Sequence, residues 1–465
     1  MNKTLPNLIT ILGVAFITIS GTIDLDNLFN YANQTKPRYV LKDNTPANNA
    51  IDNKTATLGR VLFYDKKLSA NNTIACASCH KQEKAFGDDA VQSIGLNGEL
   101  TGRHSMRLIN SRFSDEEKFF WDERAISLED QTTKPIQDHV EMGFSGTNGD
   151  EDINDLISKI SEIAYYQNLF NFAFGDKTIT EEKIQLALSQ FIRSIQSFDS
   201  KYDVGRAQVN NINANFPNFT TEENEGKRLF IAPRTMDGAG CIGCHRGDEF
   251  DIDPISRNNG IIAVAGNTSG IDLTNFRAPT LRDLVNPDGN LNGPLMHDGS
   301  LKTLLEVINH YNEIPNNSLN TDLDNRLRTG PNPQRLNLND DEKNALIAFL
   351  KTLTGTDVYV NEKWSNPFDE NGDITITGSV LSLNSPSLRN MVNIYPNPVQ
   401  NNLNINIEDG DFNATVYNIQ GKKMYAKNLV GNSILDVSDL DNGIYIIKII
   451  NNLTNEVLTK RIIKN

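Results

Sequence analysis

The run Cys76-Ala77-Ser78-Cys79-His80 constrains this chain more than any other stretch, and Cys241-Ile242-Gly243-Cys244-His245 repeats its pattern. C-x-x-C-H is the attachment pattern of c-type haem, because both thiols can reach one porphyrin edge and the next residue places an imidazole under the iron. The alternatives are a zinc site or a redox C-x-x-C pair. Since a His follows both pairs directly, we predict two covalent c-type haems, attached through Cys76, Cys79, Cys241 and Cys244, with His80 and His245 as iron ligands.

The N-terminus and the cysteines both indicate export. Haem is attached to C-x-x-C-H outside the bacterial cytoplasm, so the two motifs predict an exported protein. Lys3 precedes an apolar run from Leu5 to Ile19, which is typical of a secretory signal peptide over residues 1–21. An uncleaved N-terminal anchor is the alternative, and no other segment of the sequence is a transmembrane candidate.

Composition excludes one class of partner. Hydrophobic residues make up 38% and charged residues 22% of the 465 residues, as expected of a soluble globular protein with several domains. The net charge is −15 and there is no long basic run, which argues against nucleic-acid binding. The acidic balance would suit a basic electron-donor protein, or it is simply an acidic solvated surface.

A weak internal repeat predicts two related domains. Leu58-Gly59-Arg60-Val61-Leu62-Phe63 precedes the first motif, and Gly226-Lys227-Arg228-Leu229-Phe230 precedes the second. Each run reads as a short helix leading through a loop to a haem site, and Thr220 with Glu223 forms a capping box for the second. We therefore predict a mainly α protein with two cytochrome c-like haem domains in tandem, over residues 51–200 and 201–356, after a polar linker at 22–50.

Further patterns place the remaining elements. Ile184, Ala187, Leu188, Phe191 and Ile195 share one face of a predicted helix with Thr180 as N-cap. A last helix runs from about Asn339 towards a C-cap at Gly355. Residues 357–391 are polar and predicted as a linker, and alternating runs after Val392 predict a small all-β domain, an immunoglobulin-like sandwich, over 392–465.

With the two motifs, the region 56–355 resembles the bacterial di-haem cytochrome c peroxidases and their MauG-like relatives. The runs that carry the resemblance are Leu58-Gly59-Arg60, Trp121-Asp122, Gln131 with Glu141, Ala278-Pro279-Thr280-Leu281-Arg282 and His297-Asp298-Gly299-Ser300. The resemblance implies an enzyme that reduces hydrogen peroxide to water at a peroxidatic haem in 51–200. Electrons would come from a cytochrome c or another small redox donor through an electron-transfer haem in 201–356. A homodimer is also compatible with this function.

Three residues match the family's catalytic positions. Glu141 matches the distal glutamate, which transfers the proton during O–O cleavage, and Gln131 matches the distal glutamine, which orients peroxide or water. Trp121 matches the tryptophan between the haems, which relays electrons. Taken alone, Glu141 would be an ordinary surface acid and Trp121 a core residue.

The chain departs from the family pattern near the first haem. Many members have a second, removable His ligand in a Ser-x-Gly-His run, where this chain has Ser93-Ile94-Gly95-Leu96. We therefore expect the first iron to be five-coordinate or water-bound, facing Leu96 and Glu141, with ligation by His104 as the alternative. His104 also replaces an Asn that helps bind calcium in the family. A calcium ion would take its other ligands from the backbone carbonyls of Asn292 and Pro294.

The sixth ligand of the second haem is predicted from the same family pattern. Classical members place a Met fourteen residues after His297, where this chain has Tyr311, and tyrosine is typical of the MauG-like branch. Tyr311 is thus the expected ligand, with His310 and Met296 as alternatives. A tyrosine would lower the reduction potential relative to methionine, because phenolate stabilises ferric iron.

The C-terminal region resembles the type A sorting domain of type IX secretion. The resemblance rests on Ile394-Tyr395-Pro396-Asn397-Pro398, Leu440-Asp441-Asn442-Gly443-Ile444-Tyr445 and the basic end at Lys460-Arg461-Ile462-Ile463-Lys464. It implies the type IX machinery as a partner, haem attachment in the periplasm, and then attachment at or release from the cell surface. An adhesive or carbohydrate-binding sandwich is the alternative.

Two other functions stay open beside the peroxidase. A MauG-like oxidase would store two oxidising equivalents on both haems and oxidise a protein or organic substrate, which Leu96 and Tyr311 favour. A surface electron-transfer cytochrome without turnover would not need the Gln131–Glu141 pair, so that pair argues against it.

Overall fold

The computed structural model describes residues 21–115, 117–252, 254–378, 392–407, 411–452 and 457–465. The predicted signal peptide lies outside the described residues except for its last residue. The chain divides into two units, residues 1–376 and 377–465. Among the described residues, none of the helices has the length and apolar character needed to cross a bilayer.

The first unit is built mainly of helices. In chain order they are α1 (Asn53–Tyr64), α2 (Cys76–Cys79), α3 (Leu128–Thr133), α4 (Ile153–Ser161), α5 (Ala164–Phe174), α6 (Glu181–Ser194), α7 (Lys201–Arg206), α8 (Thr221–Ile231), α9 (Leu304–Asn312), α10 (Asp340–Lys351) and α11 (Asp357–Val360). Its strands are β1 (Thr22–Asp24), β2 (His245–Arg246), β3 (Asp251–Ile252), β4 (Ala263–Val264), β5 (Asn267–Ile271), β6 (Arg328–Thr329) and β7 (Asn332–Pro333), with β8 (Thr375–Thr377) at the unit boundary.

Two helix pairs with the same close packing organise this unit. Gly59 of α1 lies against the Ala187 carbonyl of α6, and Gly226 of α8 lies against the Ala345 carbonyl of α10. A Cβ at either glycine would overlap that carbonyl, so each helix pair can approach this closely only with glycine there. The repeat seen in the sequence is therefore a repeated helix crossing, once before each C-x-x-C-H motif.

Phenylalanines extend the same correspondence. Phe63 lies four residues after Gly59 and its ring centroid is 5.2 Å from that of Phe191. Phe230 lies four residues after Gly226, and its centroid is also 5.2 Å from that of its partner, Phe349. All four side chains are buried. Each helix thus turns its glycine towards the partner helix and presents a buried aromatic ring one turn later.

The predicted helix signals largely hold. Thr180 caps α6, Thr220 and Glu223 form the capping box of α8, and Asn339 caps α10. The expected C-cap at Gly355 is wrong, because α10 ends with Thr352 as its C-cap. Gly355 instead lies close to the side chains of Ser197 and Asp199, beyond the end of the helix.

The two segments predicted as linkers differ from that expectation where they are described. Tyr31 is fully buried, stacks edge-on with Phe191 at 6.3 Å and donates its hydroxyl hydrogen to the Lys363 carbonyl. Trp364 is also fully buried and donates to the Ser194 hydroxyl. Tyr31 and Trp364 therefore attach these two segments to α6, because burial of an aromatic side chain stabilises the folded chain.

The second unit consists of antiparallel strands. They are β9 (Val392–Tyr395), β10 (Asn402–Ile407), β11 (Asp411–Asn418), β12 (Lys423–Val430), β13 (Ser433–Asp436), β14 (Gly443–Asn451) and β15 (Val457–Lys464). They form one sheet in the order β13-β10-β9 and another in the order β12-β11-β14-β15. Alternate residues such as Leu403, Val416 and Ile447 enter one shared apolar core. The predicted all-β domain is present as two sheets.

Replacing Gly226 by alanine should lower the free energy of unfolding, although alanine is intrinsically the better helix former by about 1 kcal/mol. The added Cβ must displace the α10 backbone, and such overpacking costs about 1–3 kcal/mol. Denaturant unfolding of the haem-loaded protein measures the effect. A Gly226→Ala protein as stable as the unmodified protein would contradict the close crossing.

Candidate active site

The first C-x-x-C-H motif lines a cavity. Helix α2 carries Cys76 and Cys79, and both line the cavity with His80. Nδ1 of His80 hydrogen-bonds to the Phe86 carbonyl at 3.1 Å, which fixes the orientation of the ring. Phe86 has a φ of 58°, a strained value for a bulky residue, and this conformation directs its carbonyl at the imidazole.

The second motif repeats this arrangement. Cys241, Cys244 and His245 line a second cavity. Phe250 is buried with a φ of 53° and its carbonyl faces His245 without completing a hydrogen bond to Nδ1. Burial lowers the pKa of His245 to about 4. The neutral imidazole that iron ligation requires is therefore the stable form of this side chain.

Both cavities fit a covalently attached haem. All four cysteines are free thiols, and burial raises the pKa of Cys76 and of Cys241 to about 12, so both remain neutral. No group of three or more His, Cys, Asp or Glu side chains among the described residues is placed to hold a metal ion. The C-x-x-C pairs thus lack the additional ligands of a zinc site. Two thiols, one oriented imidazole and a cavity beside them are what a c-type haem needs.

Gln131 and Glu141 enter the first cavity together. Gln131 lies on α3, which Ser127 caps, and Glu141 lies in the turn that follows. The Asp138 carboxylate accepts hydrogen bonds from the backbone N–H groups of Val140 and Glu141 at 2.9 and 3.0 Å, which fixes that turn. The structure therefore brings both side chains into the cavity of Cys76, Cys79 and His80.

The Glu141 carboxyl is poised for proton transfer. Burial and the negative charge of Asp138 raise its pKa to about 7, against the opposing effect of the Arg124 charge. A carboxyl that is partly protonated near neutral pH can both accept and donate a proton. Arg124 and Asp138 also line this cavity, and the sequence indicated no role for either.

Leu96 does not face the first cavity as expected. It is buried, with its side chain against the backbone of Gly143, and does not belong to the lining. Its N–H donates to the Val140 carbonyl at 2.7 Å. Leu96 therefore contacts the turn that carries Glu141 from the side away from the cavity, because its apolar side chain packs into the protein interior.

Trp121 belongs to a wall shared by the two cavities. The residues that line both are His104, Ser105, Met106, Arg107, Trp121, Arg277 and Pro279. The Trp121 indole N–H donates to the His104 carbonyl at 2.8 Å, and its ring meets that of His297 edge-on at 6.2 Å. Trp121 is thus held between the two predicted haem sites.

A charged network fixes the surroundings of Trp121. Arg103 donates to Asp122 at 2.6 Å and to Asp272 at 2.8 Å. Asp272 lies 3.7 Å from Nε2 of His297, whose Nδ1 accepts from the Asn275 amide. None of these residues has a role that the sequence predicted, although Asp122 and His297 belong to the motifs that carry the resemblance.

Tyr311 and Met296 both enter the second cavity. The Asn259 amide donates to the Tyr311 hydroxyl and to the Met296 sulfur, each at 3.3 Å. Burial raises the pKa of Tyr311, and the Cys244 thiol raises it further. His310 does not line this cavity, since its Nε2 bonds to the Asn259 carbonyl at 2.9 Å. The alternative ligand His310 is therefore disfavoured.

The predicted calcium residues lie near the shared wall. Nδ1 of His104 bonds to the Ala90 carbonyl at 2.9 Å, and burial lowers its pKa to about 4. Asn292 is buried, and its amide donates to the Asp283 carbonyl and to the Tyr359 hydroxyl. Pro294 lines the second cavity. Calcium binding by the Asn292 and Pro294 carbonyls stays a prediction.

Comparison with known proteins identifies both regions. The family model for di-haem cytochrome c peroxidase matches residues 53–209, and that for the secretion system C-terminal sorting domain matches residues 393–465. The latter indicates export to the cell surface or beyond it. A crystal structure of a MauG-like protein associated with microbial copper homeostasis superposes with a TM-score of 0.58 at 30% identity, covering 72% of this chain and 99% of that one.

Curated relatives carry both family names. The methylamine utilization protein MauG of Methylophilus methylotrophus is 30% identical over 321 residues, which is 67% of this chain and 85% of the relative. The cytochrome c551 peroxidase of Nitrosomonas europaea is 28% identical over 333 residues, 69% of this chain and 84% of the relative. The chain therefore belongs to the di-haem cytochrome c peroxidase and MauG family of oxidoreductases.

Proposed function

We propose that this protein reduces hydrogen peroxide to water in the first cavity, with electrons that a cytochrome c or another small redox protein delivers through the second cavity. The observation that carries the proposal is the placement of Glu141, with a pKa of about 7, in the cavity of Cys76, Cys79 and His80. An electron-transfer cytochrome without turnover does not need a carboxyl in that cavity.

The proton movements follow from the cavity's side chains. The haem, when bound, supplies the iron that exchanges electrons with peroxide. As a carboxylate, Glu141 accepts the proton of the peroxide oxygen nearer the haem. It then donates this proton to the other peroxide oxygen, which leaves as water. The Gln131 amide donates a hydrogen bond that orients peroxide, and overall two protons and two electrons convert one H₂O₂ into two H₂O.

The second cavity is proposed to pass electrons rather than bind peroxide. Tyr311 would be the sixth ligand there, with Met296 as the alternative in the same cavity. Trp121 lies in the shared wall between the two cavities, which supports its proposed role as the electron relay. Its N–H bond to His104 and its contact with His297 hold the ring in one orientation.

A MauG-like oxidation of a protein or organic substrate is the second candidate. Tyr311 in the second cavity favours it, because a phenolate ligand lowers the reduction potential and makes that site a poorer acceptor from an ordinary cytochrome c. Position 96 also offers no imidazole to the first site. The two candidates share the first cavity and differ in which molecule gives up electrons.

We propose that haem attachment precedes transport of the protein by the type IX machinery. Haem attachment would take place in the periplasm, before the type IX machinery reads the β unit and carries the protein to the cell surface. The β unit carries no His or Cys, so its removal during secretion would leave both haem sites intact.

Glu141→Gln should lower the peroxidase kcat by about 10²–10⁴-fold, the usual contribution of a positioned general acid–base. Glutamine keeps the size and the hydrogen bonding but cannot transfer the proton. Stopped-flow consumption of peroxide with a reduced cytochrome c or an artificial donor measures the effect. Glu151→Gln, an exposed acid on the same surface loop, is the control. Equal rates for the two variants would overturn the proposed role.

The pH dependence should report the same carboxyl. Glu141 accepts the first proton only as carboxylate, so kcat/KM for peroxide should rise with pH through a midpoint near 7. Asp138→Asn removes a negative charge that raises this pKa, so the midpoint should move to lower pH while burial keeps it above that of a free glutamate. A midpoint that stays in place in both Asp138→Asn and Glu141→Gln would assign the titration to another group.

A further inference from the structure

Arg107 is a charged residue of the shared wall that has no ion pair among the described residues. Its stem packs on Gly87, where a Cβ would meet the arginine Cγ at 2.8 Å. One terminal nitrogen donates to the Thr280 carbonyl at 3.2 Å. Within the described residues, Nε has no hydrogen-bond partner and no carboxylate forms an ion pair with the guanidinium.

Two buried arginines of this chain, Arg282 and Arg193, pair with carboxylates. Arg282 makes two hydrogen bonds of 2.9 Å to Asp203, and Arg193 pairs with Glu129. Burying a guanidinium without an anion is costly, because its charge loses water and gains no partner. Asp283 is the carboxylate with the largest electrostatic effect on Arg107. Its negative charge partly offsets the lowering of the Arg107 pKa that burial causes.

The other cation of the wall has different partners. Arg277 donates to the Lys118 carbonyl and stacks on the Phe119 ring at 4.6 Å. His104 is neutral, since burial lowers its pKa to about 4. Among the described residues, Arg107 is therefore the wall cation whose guanidinium is neither stacked on an aromatic ring nor paired with a carboxylate.

The haem itself supplies anionic groups for the Arg107 guanidinium. Each haem carries two propionate carboxylates, and a guanidinium binds carboxylates through a planar fork of N–H donors. Arg107 lines both cavities and sits next to Trp121 in the wall between them. Its position gives it access to a carboxylate from either side.

We propose that Arg107 binds a haem carboxylate in each cavity and that its charge raises the reduction potential of both sites. The proposal rests on the proposed function only in requiring a haem in each cavity. Adding an electron to either iron makes that site more negative, so a fixed positive charge in the shared wall stabilises both reduced states. Arg107 is thus a positioning residue that ties the two sites together electrostatically.

Spectroelectrochemical titration of the haem-loaded, full-length protein tests this without peroxide or turnover. Arg107→Gln should lower both midpoint potentials, whereas Arg107→Lys, which keeps the charge, should lower them less. Two single-cavity arginines serve as controls: Arg124→Gln should move the first potential alone, and Arg234→Gln the second alone. Unchanged potentials in Arg107→Gln, or a shift at one site only, would overturn the proposal.

A second measurement covers the case in which Arg107→Gln does not take up haem. Resonance Raman spectra of Arg107→Lys should then show shifted propionate-bending modes at both haems, because lysine lacks the fork that two carboxylates share. Unshifted modes at either haem would contradict the proposal. A wild-type protein that binds two haems but does not turn over peroxide would refute the proposed function and leave this inference standing.

Discussion

The structure of the first unit depends on two close helix crossings. Gly59 brings α1 onto α6 and Gly226 brings α8 onto α10, each against a backbone carbonyl of the partner helix. One turn after each glycine, Phe63 and Phe230 reach the two cavities. A larger residue at either glycine would separate the helices and move the cavity wall, so the haem sites inherit their geometry from backbone contact rather than from side-chain interdigitation.

On this repeated scaffold, the two sites differ in the side chains that share the cavity with the imidazole of each C-x-x-C-H motif. The first cavity receives Gln131 and Glu141 from α3 and the turn after it. The second receives Tyr311 from α9 together with Met296, and Asn259 hydrogen-bonds to both. A carboxyl with a pKa of about 7 on one side and candidate iron ligands on the other suit the peroxide chemistry proposed for the first cavity and the electron transfer proposed for the second.

Local patterns predicted the elements because they depend on neighbours in sequence. The caps at Thr180, Thr220 and Asn339 and the alternation in the β unit are of this kind. The cavity position of Glu141 was also predicted, from its spacing to Gln131 in a known family pattern. Long-range packing could not be predicted in this way. Three observations depend on residues far apart in sequence. Tyr31 and Trp364 are buried against α6, Leu96 packs against Gly143 outside the cavity, and Arg107 lines both cavities.

The inequivalence of the two sites is the central claim, and electron paramagnetic resonance of the resting ferric protein tests it most directly. A first site without a sixth protein ligand and a second site closed by Tyr311 should give one high-spin and one low-spin haem signal. Tyr311→Phe should then convert or perturb the low-spin signal while the high-spin signal persists. Two low-spin signals in the unmodified protein would contradict an open first site, and the peroxide chemistry proposed there.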